Sequence, residues 1–199
     1  MRGAADGLGG RLDLADRVTL DDASRELFDH ITSTAVAWGQ DCGFAAATAE
    51  GRLIGPFNPS LLNPGLSAAF LKLQAAEEQY TSLDERTRQV VILTVGSVWR
   101  APYELYAHSA VARHAGLPEP VIAELAAGGE PEALTDGQRT AHRLARALST
   151  DHHVDDALYD EATQRFGAAG VLDITVLTGI YHTVCGILNA FAIPAPNHH

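Results

Sequence analysis

Lysine occurs once in this sequence, at Lys72, and cysteine only twice, at Cys42 and Cys185. The remaining basic side chains are arginines scattered along the chain, and acids outnumber bases 25 to 14, for a formal charge of −11. No basic stripe exists to neutralise a phosphate backbone, so nucleic acid is not an expected partner. The cysteines stand too far apart for a CxxC redox pair or a zinc knuckle, and in a reducing cytosol both are expected to be buried thiols. There is no run of eighteen consecutive apolar residues, and the opening MRGAADGLGG is too short and glycine-rich for a signal-peptide core. The expectation is a cytoplasmic protein with no membrane partner. Also lacking are a GxSxG elbow and the GxGxxG or GxxxxGK(S/T) phosphate cradles, which removes most support for triad hydrolase and nucleotide-binding readings. A metal centre needs three or four converging ligands, and only Glu104, His108 and His182 come near that, so no metal and no cofactor are expected.

What the chain does have is apolar content, 46% over 199 residues, enough for one domain with a real core. Residues 1–18 read as a flexible N-terminal segment and 19–196 as a single domain. Residues 197–199, with His198 and His199 after a Pro-rich end, read as a tail left by a purification tag. From Thr19 to about Gly39, the positions Leu20, Leu27, Phe28, Ile31 and Ala35 form a helical stripe, with Asp21 and Asp22 at its positive end. Gly43 to Asn63 is rich in Gly, Pro and Asn and reads as an ordered loop long enough to line a site. Asn63 caps a helix with Pro64 at its first position and Leu66, Ala69, Phe70 and Leu73 as its apolar face.

Ser82 with Glu85 reads as the capping box of a central helix through RTRQVVILTVGSVW. Pro102 starts the next helix, closed by Gly116, and Pro118 opens a short one to about Ala127. Thr135 with Gln138 heads a helix to about Leu148. Residues 154–166 and 171–191 give the last two helices, separated at Gly167. Strand signals are confined to residues 52–54. The fold class is all-α, a bundle of about seven or eight helices.

One tight polar cluster stands in apolar surroundings, WRAPYELYAH, Trp99 to His108. Glu104 and His108 are one helical turn apart, about 6 Å between Cβ atoms, beside the apolar seam of Leu105, Val111 and Ala112. A half-buried carboxyl and imidazole there can exchange one proton near neutral pH. The same spacing also suits a solvated ion pair or a buried structural hydrogen bond. Arg100 could hold a substrate carboxylate or simply face water, and Trp99 and Tyr103 either shape a pocket or pack. His182, Tyr181 and Asn189 sit in an apolar stretch where burial is expected. His142, among Arg139, Arg143 and Arg146, is expected at the surface, as are His152 and His153.

These residues resemble the carboxymuconolactone decarboxylase and alkylhydroperoxidase D-like superfamily. The likeness runs from Arg86 to Leu125, with the YExxxH and HAGL patterns, through the helix after Thr135 to GIYHTVCGILNAFAIP, and GPFNPSLLNPGL fits the segment preceding the core. The resemblance implies an alkylhydroperoxidase D-like helical bundle, assembly as a trimer or hexamer, and a small-molecule substrate bound near subunit contacts. In its peroxidase branch a CxxC pair precedes the histidine. With that histidine on His108, Ala101 and Glu104 stand where the cysteines would be, and Gln89 where a glutamate would be. Dithiol peroxidase activity is therefore not expected. The resemblance implies a carboxy-lyase-like enzyme with Glu104 and His108 as catalytic residues, and Gln89, Trp99, Arg100, Tyr103 and His182 around the substrate. The alternatives are a peroxiredoxin-type protein using Cys42 or Cys185 alone, or a non-catalytic oligomer that binds a small ligand.

Overall fold

The computed structural model describes residues 7–196, so the tail expected at 197–199 lies outside the described residues. Helices α1 (Asp22–Ile31) and α2 (Ala37–Cys42) are joined by a π-helical turn at Thr32–Val36, making one continuous rod where the sequence predicts one helix. Asp21 caps it by accepting from the Ser24 N–H, and Gly43 ends it in a left-handed conformation, φ 86°. After a loop containing the short α3 (Phe57–Ser60) come α4 (Pro64–Tyr80), α5 (Glu85–Trp99), α6 (Pro102–His114), α7 (Glu119–Ala126), α8 (Asp136–Thr150) and α9 (Asp156–Ala190). Gly167, at φ 67°, breaks α9 where the sequence separates two helices. The all-α expectation is what forms. Among the described residues the extended pairing is a single bridge, Ala47 with Leu53.

Helix α5 is the axis of the bundle, touching α6, α7, α8 and α9. Its residues from Thr87 to Gly96 are all buried, as a helix apolar on every side must be. The main core joins α5, α6, α8 and α9 through Val91, Ile92, Val95, Val111, Leu144, Ile174, Leu177 and Leu188. A second cluster seats α7 through Val121, Ile122 and Leu125, and a third seats α1 through Leu27, Phe28 and Ile31. By length and hydropathy α9 could cross a membrane, yet Ile174, Leu177, Ile180, Val184 and Leu188 are buried in this core.

Several sequence expectations change. The N-cap of α5 is Asp84, which accepts from both the Thr87 N–H and its hydroxyl, while the Ser82 hydroxyl donates to Asp173 of α9. On α4, Leu66 and Leu73 are 67% and 48% exposed, and the inward side carries Ala68, Phe70, Leu71 and the buried Glu77. Apolar residues lie on several sides of α4, and the pairing of Glu77 with Arg88 decides which side turns in. His142 is 2% exposed instead of superficial, because it lies on the stripe Gln138, His142, Ala145, and its Nδ1 meets the Thr94 hydroxyl at 2.8 Å. Asn189 is exposed and donates to the Trp99 carbonyl. Of the segment expected to be flexible, residues 1–6 lie outside the described residues. Residues 7–18 include Leu8 and Leu14 packed on the main core, and the Arg11 N–H donates to the Phe191 carbonyl at 2.7 Å.

The loop after α2 is stapled to the start of α6. The Tyr103 hydroxyl donates to the Ala45 carbonyl at 2.7 Å, and the Ala45 N–H donates to the Tyr106 oxygen at 2.9 Å. Gly55, at φ 65°, leaves room for the Tyr103 ring: a Cβ there would stand 2.3 Å from its Cε1 and Cζ atoms. Gly55→Ala combines this overlap with a left-handed backbone and should destabilise the protein by about 3 kcal/mol. Urea unfolding measures it, and a loss below about 1 kcal/mol would show that the ring is not held in place.

Candidate active site

Pro102 at the first position of α6 fixes the entry of that helix, and the next turn presents Glu104 and His108 inward, both buried. Glu104 lies against Gly96 of α5, where a Cβ would come within 3.2 Å of its Cγ. One turn on, His108 Nδ1 is 2.8 Å from the Gln89 Oε1. Its other nitrogen, Nε2, is 3.4 Å from Glu104 Oε1. That separation is within ion-pair reach, but the Glu104 oxygen has no hydrogen-bond partner. An orphaned buried carboxyl oxygen is uncommon and calls for a functional or energetic reason. The ring of Tyr181 from α9 meets His108 edge to face at 5.0 Å, and Trp38 from α2 lies 6.0 Å away.

Burial governs the protonation of the pair. It pushes the Glu104 carboxyl up to about 8. It pulls the His108 imidazole down to about 3, with the nearby Arg88 charge acting in the same direction. At neutral pH the site therefore holds a carboxylic acid beside a neutral imidazole. Of the two groups expected to exchange a proton, the one that carries it at neutral pH is Glu104. Arg88 is the buried cation, and for it burial opposes the charge but is outweighed by Glu77 and Glu85. Its Nη2 donates to Glu77 at 2.7 Å and its Nη1 to Glu85 at 2.7 Å. Both thiols are held protonated, Cys42 by burial and then Asp41 and Glu85, Cys185 by burial and then Glu104.

Of the residues singled out from sequence, Gln89, Glu104 and His108 converge. Tyr103 is buried at the foot of α6, tied to the loop. Arg100 is the exposed C-cap of α5, with φ 50°, and Trp99 is 37% exposed beside it. His182 is half-buried on the seam of α8 and α9, its Nε2 2.8 Å from the Ser149 hydroxyl and its ring against Trp99. Neither Arg100 nor His182 is a partner of the Glu104–His108 pair. The sequence reading missed Trp38, Arg88 and Glu85 and gave Tyr181 only as buried. The Glu85 to Gln89 spacing, one helical turn, was the available signal for Glu85. The loop after α2 does line a cavity of about 640 Å³, with Val36, Phe44, Ala46 and Thr48 in its wall, but that cavity is not lined by Glu104 or His108. No group of three or more His, Cys, Asp or Glu side chains among the described residues could hold a metal ion.

The fold is that of the alkylhydroperoxidase D-like helical proteins. The peroxidase-related protein from Ralstonia eutropha JMP134 superposes with a TM-score of 0.74, at 17% identity over 94% of this chain and 92% of that one. Its counterpart from Silicibacter sp. TM1040 gives 0.74 at 18% identity, over 98% and 95%. The debrominase Bmp8 in complex with 2,3,4-tribromopyrrole gives 0.67 at 17% identity, over 92% and 94%. At these identities the likeness is one of fold. No curated protein matches the chain. The model of the carboxymuconolactone decarboxylase family matches residues 64–147 of this chain.

The two shifts tie stability to pH in opposite senses. Glu104 stays protonated to about 8 in the fold against 4.5 when unfolded, so its contribution is full below 4.5 and lost as pH rises through 8. His108 stays neutral down to about 3 against 6.5 when unfolded, so it costs stability as pH falls below 6.5. Glu104→Gln removes only the first of these. Its melting temperature relative to the parent should be higher at pH 8 than at pH 5, as followed by thermal unfolding. An equal difference at both pH values would mean that Glu104 is already ionised in the fold.

Proposed function

We propose that this protein is a cofactor-free acid/base enzyme of the carboxymuconolactone decarboxylase type, acting on a small organic acid or lactone by decarboxylation or a related proton transfer. The observation that carries this reading is the buried, partnerless Glu104 oxygen beside a neutral His108 imidazole. A carboxyl with its proton held to about 8 is a proton donor at neutral pH, and an imidazole held neutral is an acceptor. The burial that neutralises both groups would also strip water from a substrate carboxylate. Its charge disperses as the C–C bond breaks and carbon dioxide leaves, so the dry site favours that step. The bond's electron pair remains on the adjoining carbon as an enolate, which takes the Glu104 proton, and the resulting carboxylate is reprotonated from solvent.

The lone-cysteine alternative needs a thiolate, and burial together with nearby carboxylates opposes one at both Cys42 and Cys185. The partner expectation is a homo-oligomer. Its support is the outer side of α4, where Leu66, Leu73 and Tyr80 are exposed, next to Leu172 and Val176 on α9. The Ser82–Asp173 hydrogen bond joins the end of one helix to the other, so the two apolar sides can form one face.

Turnover of small carboxylic acids and lactones in deuterated water, read by NMR as deuterium entering the product, tests the chemistry. Glu104→Gln and His108→Ala should each lower the rate by about 100-fold or more. The parent rate should fall as pH rises past about 8. Undiminished turnover in both variants would sink the proposal. For assembly, Leu66→Asp with Leu73→Asp should reduce the mass seen in sedimentation, and a parent that sediments as a monomer would end that reading.

A further inference from the structure

The hydrogen bonds behind His108 form a chain with a direction. Glu85 opens α5, and its side chain is about half exposed, 47%. Its carboxylate oxygens can only accept: Oε2 takes a hydrogen bond from Arg88 Nη1 at 2.7 Å, and Oε1 takes one from the Gln89 amide nitrogen at 2.7 Å. Turning the Gln89 amide over would set its oxygen against the Glu85 carboxylate, so the amide is held with its nitrogen outward and its oxygen inward. That inward oxygen is the atom 2.8 Å from His108 Nδ1. An amide oxygen has no proton to give, so the hydrogen between them belongs to the ring nitrogen.

From this geometry we infer that Glu85 is a positioning residue: through Gln89 it fixes His108 as the Nδ1–H tautomer, with the bare Nε2 lone pair facing Glu104. The ring then receives protons only on the side where Glu104 lies, 3.4 Å away. The amide also separates His108 from Glu85, because it anchors the ring without passing a proton along. For its bearing on catalysis this inference rests on the acid–base reading of the pair, but the tautomer itself does not.

The test is nitrogen-15 NMR of the intact protein labelled in its histidine rings, with the His108 signals assigned by their loss in His108→Ala. The parent should show a protonated Nδ1 and a bare Nε2. Glu85→Ala frees the amide to turn over, and a second tautomer should appear, moving both nitrogen shifts toward each other. Adding Gln89→Glu to that variant puts an acceptor-only group at Nδ1 and should restore the parent pattern at a pH where the ring is neutral. If the alanine variant does not fold, Glu85→Gln takes its place, since its amide can present either a donor or an acceptor. A parent with the proton on Nε2, a Glu85 variant that keeps the parent pattern, or a double variant that stays mixed would each overturn the inference. Turnover by His108→Ala decides the catalytic reading separately, so a fixed tautomer with undiminished turnover would remove that reading and leave this one.

Discussion

The removal of water from the inner side of α6 is the constraint on which the rest depends. Three ionisable groups share that environment and meet it in three ways. Arg88 keeps its charge because two carboxylates surround it, the arrangement that makes a buried ion tolerable. His108 gives up its charge and satisfies one nitrogen on Gln89. Glu104 gives up its charge and leaves an oxygen unpaired. The first two are stable solutions to burial and the third is not, which is what supports the proposed role of Glu104.

The same constraint separates acid/base from redox chemistry. Where the resembling peroxidase branch has two thiols, this chain has Ala101 and Glu104, and a carboxyl can move a proton but cannot carry a peroxidatic cycle. Cys185, on the same inner side, is kept protonated by burial, so it offers no thiolate to take the place of the missing pair. Burial thus favours the neutral forms of Glu104, His108 and Cys185, and neutral forms suit proton transfer better than nucleophilic sulfur.

Much of the fold was legible because it rests on local rules. The Asn63 cap with Pro64, the Thr135–Gln138 capping box and the Gly167 break all depend on residues within a few positions of one another. The Glu104–His108 pair was legible for the same reason, being one turn apart on one helix. What was not legible depends on neighbours distant in sequence. The inward side of α4 is chosen by Glu77 meeting Arg88, and the burial of His142 by Thr94 on another helix. Trp38 and Tyr181 reach His108 from opposite ends of the chain, and no spacing in the sequence brings them together.

Those two rings also show how the pair is enclosed. Tyr181 is buried on α9, whose inner side belongs to the main core and is held by Leu177, Ile180 and Leu188. Trp38 is 40% exposed on α2, a short helix preceded by a π-helical turn and ended by a left-handed glycine. Moving α9 would break the core, whereas turning the indole would give up its edge contact with Phe44, 4.9 Å between ring centroids, and its contact with His108. The wall of the site with the least packing behind it is therefore the one that faces solvent.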